Sequence, residues 1–209
     1  MDDRFGVRET YERIATHFAT TRDHPWPEVE SFCENRSVET ALDIGCANGR
    51  HLSLLSEHAD RVIGLDLSDE LLSIARAHLP QVTLLTGDAA SLPIRSDTID
   101  LAVYIATLHH LPTRQLRRQS LDELARVLSS DGSALVSVWS TTHDRFDAAD
   151  AEVGFDTEVD WTLPSGEIVP RYYHIYAPAE FESDLAASAL SVVESFLSMG
   201  NCYAIVEPA

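Results

Sequence analysis

The chain has 209 residues, 44% of them hydrophobic, three cysteines, and a net charge of −19 in which all 15 basic residues are arginine. Such a chain builds one domain with a full core. It has no apolar run near the roughly 20 residues that span a bilayer, and its start, Met1-Asp2-Asp3-Arg4, lacks a signal-peptide pattern, so a cytoplasmic protein is expected.

Cys33, Cys46 and Cys202 are too scattered for a disulfide framework or a zinc site. The acid excess without lysine points to a halophile, because a carboxylate-rich surface stays soluble where concentrated salt shortens screening to roughly 3 Å. In ordinary salt the same charge opposes binding to nucleic acid.

Tyr11, Ile14, Ala15 and Phe18 recur at helical spacing, the run Arg22-Asp23-His24-Pro25-Trp26-Pro27 breaks the pattern, and Glu28 restarts it, predicting a helical preface over residues 1–37. Residues 40–44 then read as a strand, followed by a tight turn through Gly45 and Gly49 and a helix over 52–58. Glycines there let the backbone turn sharply and approach a ligand, as in a nucleotide-cofactor loop. Ala47 and Arg50 stand where the dinucleotide fingerprint requires glycine, which disfavours a nicotinamide cofactor.

A strand over 62–65 ends in Asp66, about twenty residues past the loop, where a Rossmann-like fold places the carboxylate that bonds ribose hydroxyls. Ser68 caps a helix that Pro80 ends, and the strand Val82-Thr83-Leu84-Leu85 leads to Gly87-Asp88-Ala89. Asp43, Asp66 and Asp88, at three successive strand ends, outline one ligand crevice.

Strand 99–105 runs into Leu108-His109-His110-Leu111-Pro112, Thr113 starts a helix that Asp131-Gly132 closes, and strand 134–139 follows. Residues 141–160 read as a polar surface insertion, 161–169 as a hairpin centred on Pro164-Ser165-Gly166, and 171–176 as its second arm. A helix over 178–190 and strands over 192–197 and 202–206 close the chain. The fold expected is α/β and Rossmann-like, a seven-stranded, mostly parallel sheet with helices on both faces, in a single domain in which residues 141–176 form an insertion and hairpin.

Asp43-x-Gly45-x-Ala47-x-Gly49 resembles the acid-x-G-x-G-x-G loop of class I S-adenosylmethionine methyltransferases, with Ala47 in place of the middle glycine. Tyr11-Glu12-x-Ile14-Ala15-x-His17-Phe18, Arg22-x-x-Pro25-Trp26-Pro27, Leu108-His109-His110-Leu111, Val138-Trp139 and Arg171-Tyr172-Tyr173-His174 resemble the signatures of the tRNA wobble-uridine carboxyl methyltransferases, here of a halophilic archaeal type. That family esterifies 5-carboxymethyluridine.

The resemblance implies S-adenosylmethionine held by Tyr11, Asp43, Gly45, Cys46, Gly49, Asp66, Leu67, Asp88, Ala89 and Ile105. It implies Arg22, His110, Arg171 and His174 as donors to the acceptor, and Trp26, Trp139 and Tyr172 as walls for a flipped base. It also implies a tRNA anticodon loop as partner, and a small zinc-ribbon activator protein docked by strand addition beside the run Val82-Thr83-Leu84-Leu85.

The chemistry agrees with those residue types. A carboxylate with a pKa of roughly 4 is ionised at neutral pH and needs no strong base, only donors, alignment and dry walls.

Two other classes remain open: a small-molecule methyltransferase of the quinone type, and a cofactor-binding subunit without catalysis, to which Ala47 points. His109 reads as packing at a strand end, and Arg114, Arg117 and Arg118 as either a phosphate contact or a solvated helix face. Tyr172 and Tyr173 alternate along a strand, so one of them faces inward.

Overall fold

The structure is a computed structural model that describes residues 4–146, 148 and 151–209. Residues 1–3, and Asp147, Ala149 and Asp150 of the expected insertion, lie outside the described residues.

Two helices come first, α1 (Arg4–Ala19) and α2 (Pro27–Cys33). Apolar runs between turn signals then form β1 (Val38–Ile44), β2 (Ala59–Asp66), β3 (Thr83–Thr86), β4 (Ile99–Ile105) and β5 (Leu128–Trp139), all parallel. Helices α3 (Leu52–His58), α4 (Asp69–His78) and α5 (Arg114–Val127) lie among them in the chain. A hairpin of β6 (Phe155–Thr162) and β7 (Ile168–Ile175) stands apart from the main sheet. Helix α6 (Pro178–Ala186) leads to β8 (Leu190–Ser198) and β9 (Asn201–Pro208), which complete a seven-stranded sheet in the order β3-β2-β1-β4-β5-β9-β8.

The central strands read as continuous apolar runs because both faces are covered. Leu42, Ile44, Ala102, Tyr104 and Val136 pack with α5 and α6 on one face; Ala41, Leu101, Val103 and Leu135 pack with α2 and α3 on the other. β1 pairs with β2 on one side and β4 on the other, so the chain reverses its winding there and a crevice opens beyond the carboxyl ends of those strands.

Several expected boundaries move. Gly132 does not close α5, because Leu128 already begins β5 and pairs with Ile99; a Cβ at Gly132 would lie 2.6 Å from the Ile99 carbonyl, so the glycine permits a close strand approach. Residues 155–160 are no loose insertion but most of β6, paired with β7 along its length, with the alternation Phe155-x-Thr157-x-Val159-x-Trp161 as the overlooked signal. α6 ends at Ala186 rather than at 190. The expected edge strand is at the sheet edge, shifted by one residue to Thr83–Thr86. Among the described residues no helix is long and apolar enough to cross a membrane.

Candidate active site

The loop after β1 forms the floor of the crevice. Leu65 accepts from the Gly45 and Cys46 N–H groups at 2.7 and 3.0 Å, holding the loop against β2. Gly45 has φ +75°, and a Cβ there would meet Thr107 Oγ1 at 2.1 Å, so this position requires glycine. Ala47 shares the left-handed region at φ 48°, which costs an L-residue about 1 kcal/mol or more, and its N–H donates to Asp66 Oδ2 at 2.8 Å. Asp66 Oδ1 accepts from the Ser68 N–H at 2.8 Å, so one carboxylate ties the loop to the start of α4 while facing the cavity. Burial raises the Asp66 pKa, opposed by these backbone donors.

Asp43 lies beneath the loop, 1% exposed, with Oδ2 lacking a hydrogen-bond partner and His51 Nδ1 3.8 Å away. Burial pushes its pKa up to about 8, against the pull of Arg50. His51 is neutral, lowered to about 3 by burial and by Arg50. A buried carboxylate of this kind calls for a cation, and with Asp66 and Asp88 on the rim the acids suit a ligand that has a cationic end, a ribose and a base.

The cavity measures about 350 Å³. Tyr11, Gly45, Cys46, Asp66, Leu67, Asp88, Ala89 and Ile105 all line it, as expected from the sequence. Asp43 and Gly49 do not. Gly49, at φ +87°, shapes the loop instead, with a Cβ there only 3.0 Å from Leu79 Cδ1. Among the residues expected to serve the acceptor, Arg22, Trp26, His110, Trp139 and Arg171 line the same cavity.

Two expected residues are elsewhere. His174 is held between carboxylates, with Nδ1 2.7 Å from Asp156 and Nε2 3.1 Å from Glu180, and the Tyr172 hydroxyl donates to the Pro112 carbonyl at 3.3 Å. The cause is the hairpin register. Val159 opposes Arg171 and Trp161 opposes Val169 on the buried face, whereas Glu158 opposes Tyr172 and Asp156 opposes His174 on the other. Tyr173 therefore takes the inward place expected for Tyr172.

His110 reaches the cavity wall but is not a free donor. Its Nδ1 must donate to the Tyr172 carbonyl at 2.9 Å, which leaves Nε2 to accept from the Tyr11 hydroxyl at 2.9 Å. Burial lowers its pKa to about 4, so the ring is neutral.

His109, which the sequence suggested was packing, has the opposite tautomer. Its Nδ1 accepts from the Trp139 N–H at 2.9 Å, leaving a buried Nε2–H with no well-formed hydrogen bond at the cavity lining. Burial, with His110 and Arg171 nearby, holds it neutral.

Arg171 is 7% exposed, its guanidinium lies 4.9 Å from the Trp161 ring and 5.2 Å from that of Tyr173, and its Nε is buried without a partner. The cavity thus joins an acid-rimmed lobe to an aromatic lobe with unpaired donors.

The arginine cluster on α5 divides, with Arg114 and Arg118 at the surface and Arg117 buried. Arg114 and Arg118 donate from Nε to Asp184 Oδ1 at 2.7 and 2.8 Å, and Arg117 is buried with Nη1 on the Leu111 carbonyl, so the cluster fastens α6 to α5.

Residues 42–136 match the model of a family described as "Methyltransferase domain". The tRNA (carboxymethyluridine(34)-5-O)-methyltransferase of Schizosaccharomyces pombe is 30% identical over 222 residues, covering 96% of this chain and 95% of that protein. The Saccharomyces cerevisiae protein of the same name is 33% identical over 172 residues, and the match covers 79% of this chain but only 59% of that one. Among solved structures, a complex between the Haloferax volcanii Trm112 methyltransferase activator and a methyltransferase is similar in fold, with a TM-score of 0.74 at 18% identity over 97% of each chain.

Proposed function

The chain belongs to the tRNA (carboxymethyluridine(34)-5-O)-methyltransferase family, which makes it an S-adenosylmethionine-dependent methyltransferase, and from that premise we propose that it esterifies 5-carboxymethyluridine at the wobble position of tRNA. The residues at and beneath the cavity fit the cofactor: Asp66 would answer its ribose and Asp88 with Ala89 its adenine, while Asp43, buried under the loop with Oδ2 unpartnered, would favour its cationic end from below. When bound it supplies a methyl group made electrophilic by the adjoining sulfonium.

The observation that carries the acceptor reading is Arg171. A guanidinium buried among aromatic rings, with Nε unpaired, at the wall of the cofactor cavity, needs an anion. The carboxylate of the modified uridine is that anion. Arg171, with the Nε2–H of His109 beside it, would hold one carboxylate oxygen and leave the other free to accept the methyl group that the cofactor would supply, with S-adenosylhomocysteine as the leaving group and no proton for any residue to move.

A neutral His110 that is already hydrogen-bonded at both nitrogens agrees with a reaction that requires no base. Trp26, Trp139 and Tyr173 would wall the flipped base and keep out water.

Two further parts of the reading concern partners and habitat. The open outer edge of β3 suits strand addition by a small zinc-ribbon activator. The charge of −19 suits a halophilic archaeal cytoplasm.

Arg171→Ala tests the site. Turnover on the modified tRNA should fall by roughly a hundredfold or more, while affinity for S-adenosylhomocysteine stays within about threefold. An equal loss in both measurements would remove Arg171 from the acceptor lobe.

A further inference from the structure

Surface ion pairs among the described residues give an arginine at least one acid of its own, as Arg8 with Glu12 and Asp69, Arg61 with Glu39, and Arg126 with Glu123. The start of α5 departs from this pattern. Arg114 and Arg118, about one helical turn apart, share a single oxygen, Asp184 Oδ1, at 2.7 and 2.8 Å. Asp184 is fully buried, whereas the two arginine side chains are 46% and 38% exposed. One guanidinium balances one buried carboxylate, so the pair leaves a positive charge at the surface of a chain whose net charge is −19.

Each arginine spends only Nε on Asp184, and among the described residues the Nη groups form no hydrogen bond. Both line a shallow depression with Gln115, Gln119 and Asp122, and Asp122 places its Oδ1 on the Ala189 N–H at 3.0 Å. Two planar forks fixed side by side, with N–H donors to spare, suit the oxygens of a phosphate.

Position supplies the source of that phosphate. α5 follows β4, so it begins at the carboxyl edge of the sheet, the edge that holds the cavity. Leu111 lines the cavity and Arg114 comes three residues later, which puts their Cα atoms at most about 11 Å apart. Pro112, between them, is held through its carbonyl by the Tyr172 hydroxyl.

We propose that Arg114 and Arg118 form a phosphate site for the RNA strand beside the nucleotide that enters the cavity. The proposal rests on the tRNA reading of the acceptor and adds a backbone contact that fixes the position of the RNA without reading its bases. Asp184 then has two roles, fastening α6 to α5 and holding both forks ready.

The test is binding of unmodified tRNA, which lacks the carboxymethyl group, to the full chain alone and with a zinc-ribbon activator, by fluorescence anisotropy between roughly 0.3 and 1 M KCl. Each phosphate contact contributes about 0.7 to 0.9 to the slope of log affinity against log salt. In Arg114→Gln/Arg118→Gln the slope should become shallower by about 1.5, with affinity at the lowest salt down about tenfold. The same pair combined with Asp184→Asn, which leaves no buried carboxylate stripped of its cations, should behave alike. Arg114→Lys/Arg118→Lys should keep the slope. Arg61→Gln/Arg76→Gln, an equal change of charge near the amino ends of the strands, should leave it unaltered.

An unchanged slope in both glutamine variants overturns the proposal, even where affinity falls, because it reduces the arginines to a fastening for α6. Equal flattening in Arg61→Gln/Arg76→Gln also overturns it, by making the effect one of net charge. Absence of tRNA binding by the wild type, with and without the activator, overturns this proposal and the tRNA reading together; failure of the slope test alone leaves the acceptor assignment at Arg171 in place.

Discussion

Asp43 sets the pH behaviour of the cofactor site. Its carboxyl is raised to about 8 by burial, so near pH 7 it is mostly protonated in the free protein. A cationic ligand favours the ionised form and pulls the pKa down, so cofactor binding at pH 7 should release on the order of one proton, and affinity should rise with pH until the free-protein pKa is passed. Calorimetry in buffers of differing ionisation enthalpy measures the release directly. Zero release at pH 7, or uptake of a proton, would contradict the assignment of Asp43 to the cationic end.

Much of this residue-scale picture was legible in the sequence: three acids at three strand ends and a glycine loop between the first two. The inward side of the second arm was not. Arg171, Tyr173 and Val169 share one face and Tyr172 and His174 the other, but choosing between them requires the register with β6, whose acids Glu158 and Asp156 mark the outward side. His109 and His110 likewise look equivalent in sequence. They differ because one is fixed by the Trp139 backbone N–H and the other by the Tyr172 carbonyl, contacts between residues far apart in the chain.

At the scale of elements, α1 is a clasp across the mouth of the cavity. Its residues Val7, Arg8, Tyr11 and Phe18 line the cavity. Glu12 accepts from the Asp69 and Glu70 N–H groups at 2.8 and 3.0 Å, capping α4 from outside its own chain segment, and Arg8 pairs with Asp69 at 2.6 Å. Toward the hairpin, Arg13 pairs with Glu167, and the Trp161 indole N–H donates to His17 Nδ1 at 3.1 Å.

A helix held by polar contacts and by the small cluster of Ile14 with Trp161 and Val169, apart from the main core, opens more easily than the sheet. Removing the cap should cost about 1 kcal/mol, which corresponds to roughly a fivefold faster release of S-adenosylhomocysteine from Glu12→Ala, with turnover at saturating substrates little changed. Stopped-flow displacement would measure it, and an unaltered release rate would show that α1 does not gate the site. Helical spacing in Tyr11, Ile14 and Phe18 announced this helix, but its role as a clasp depends on Glu12 meeting the start of α4, fifty-seven positions away from Asp69.

For the molecule as a whole, charge is the dominant property. A net −19 held on a 23.1 kDa chain produces self-repulsion that salt screens. The thermal midpoint should therefore rise by about 5 °C or more between roughly 0.1 M and 2 M KCl; a flat or falling midpoint in differential scanning calorimetry would leave the acid excess without a stabilising role in salt.

The same charge bears on the acceptor, because RNA is repelled by an acidic surface and must be drawn in by the cavity's own arginines, by concentrated salt, or by the activator. The most direct test of the account is transfer of a radiolabelled methyl group from S-adenosylmethionine to tRNA carrying 5-carboxymethyluridine, in high salt, with the chain alone and with a zinc-ribbon activator protein. A base-labile label on the wobble nucleoside, strongly stimulated by the activator, is the predicted result. An absence of transfer by a preparation that binds both cofactor and activator would contradict the tRNA assignment and direct the search to small carboxylate metabolites.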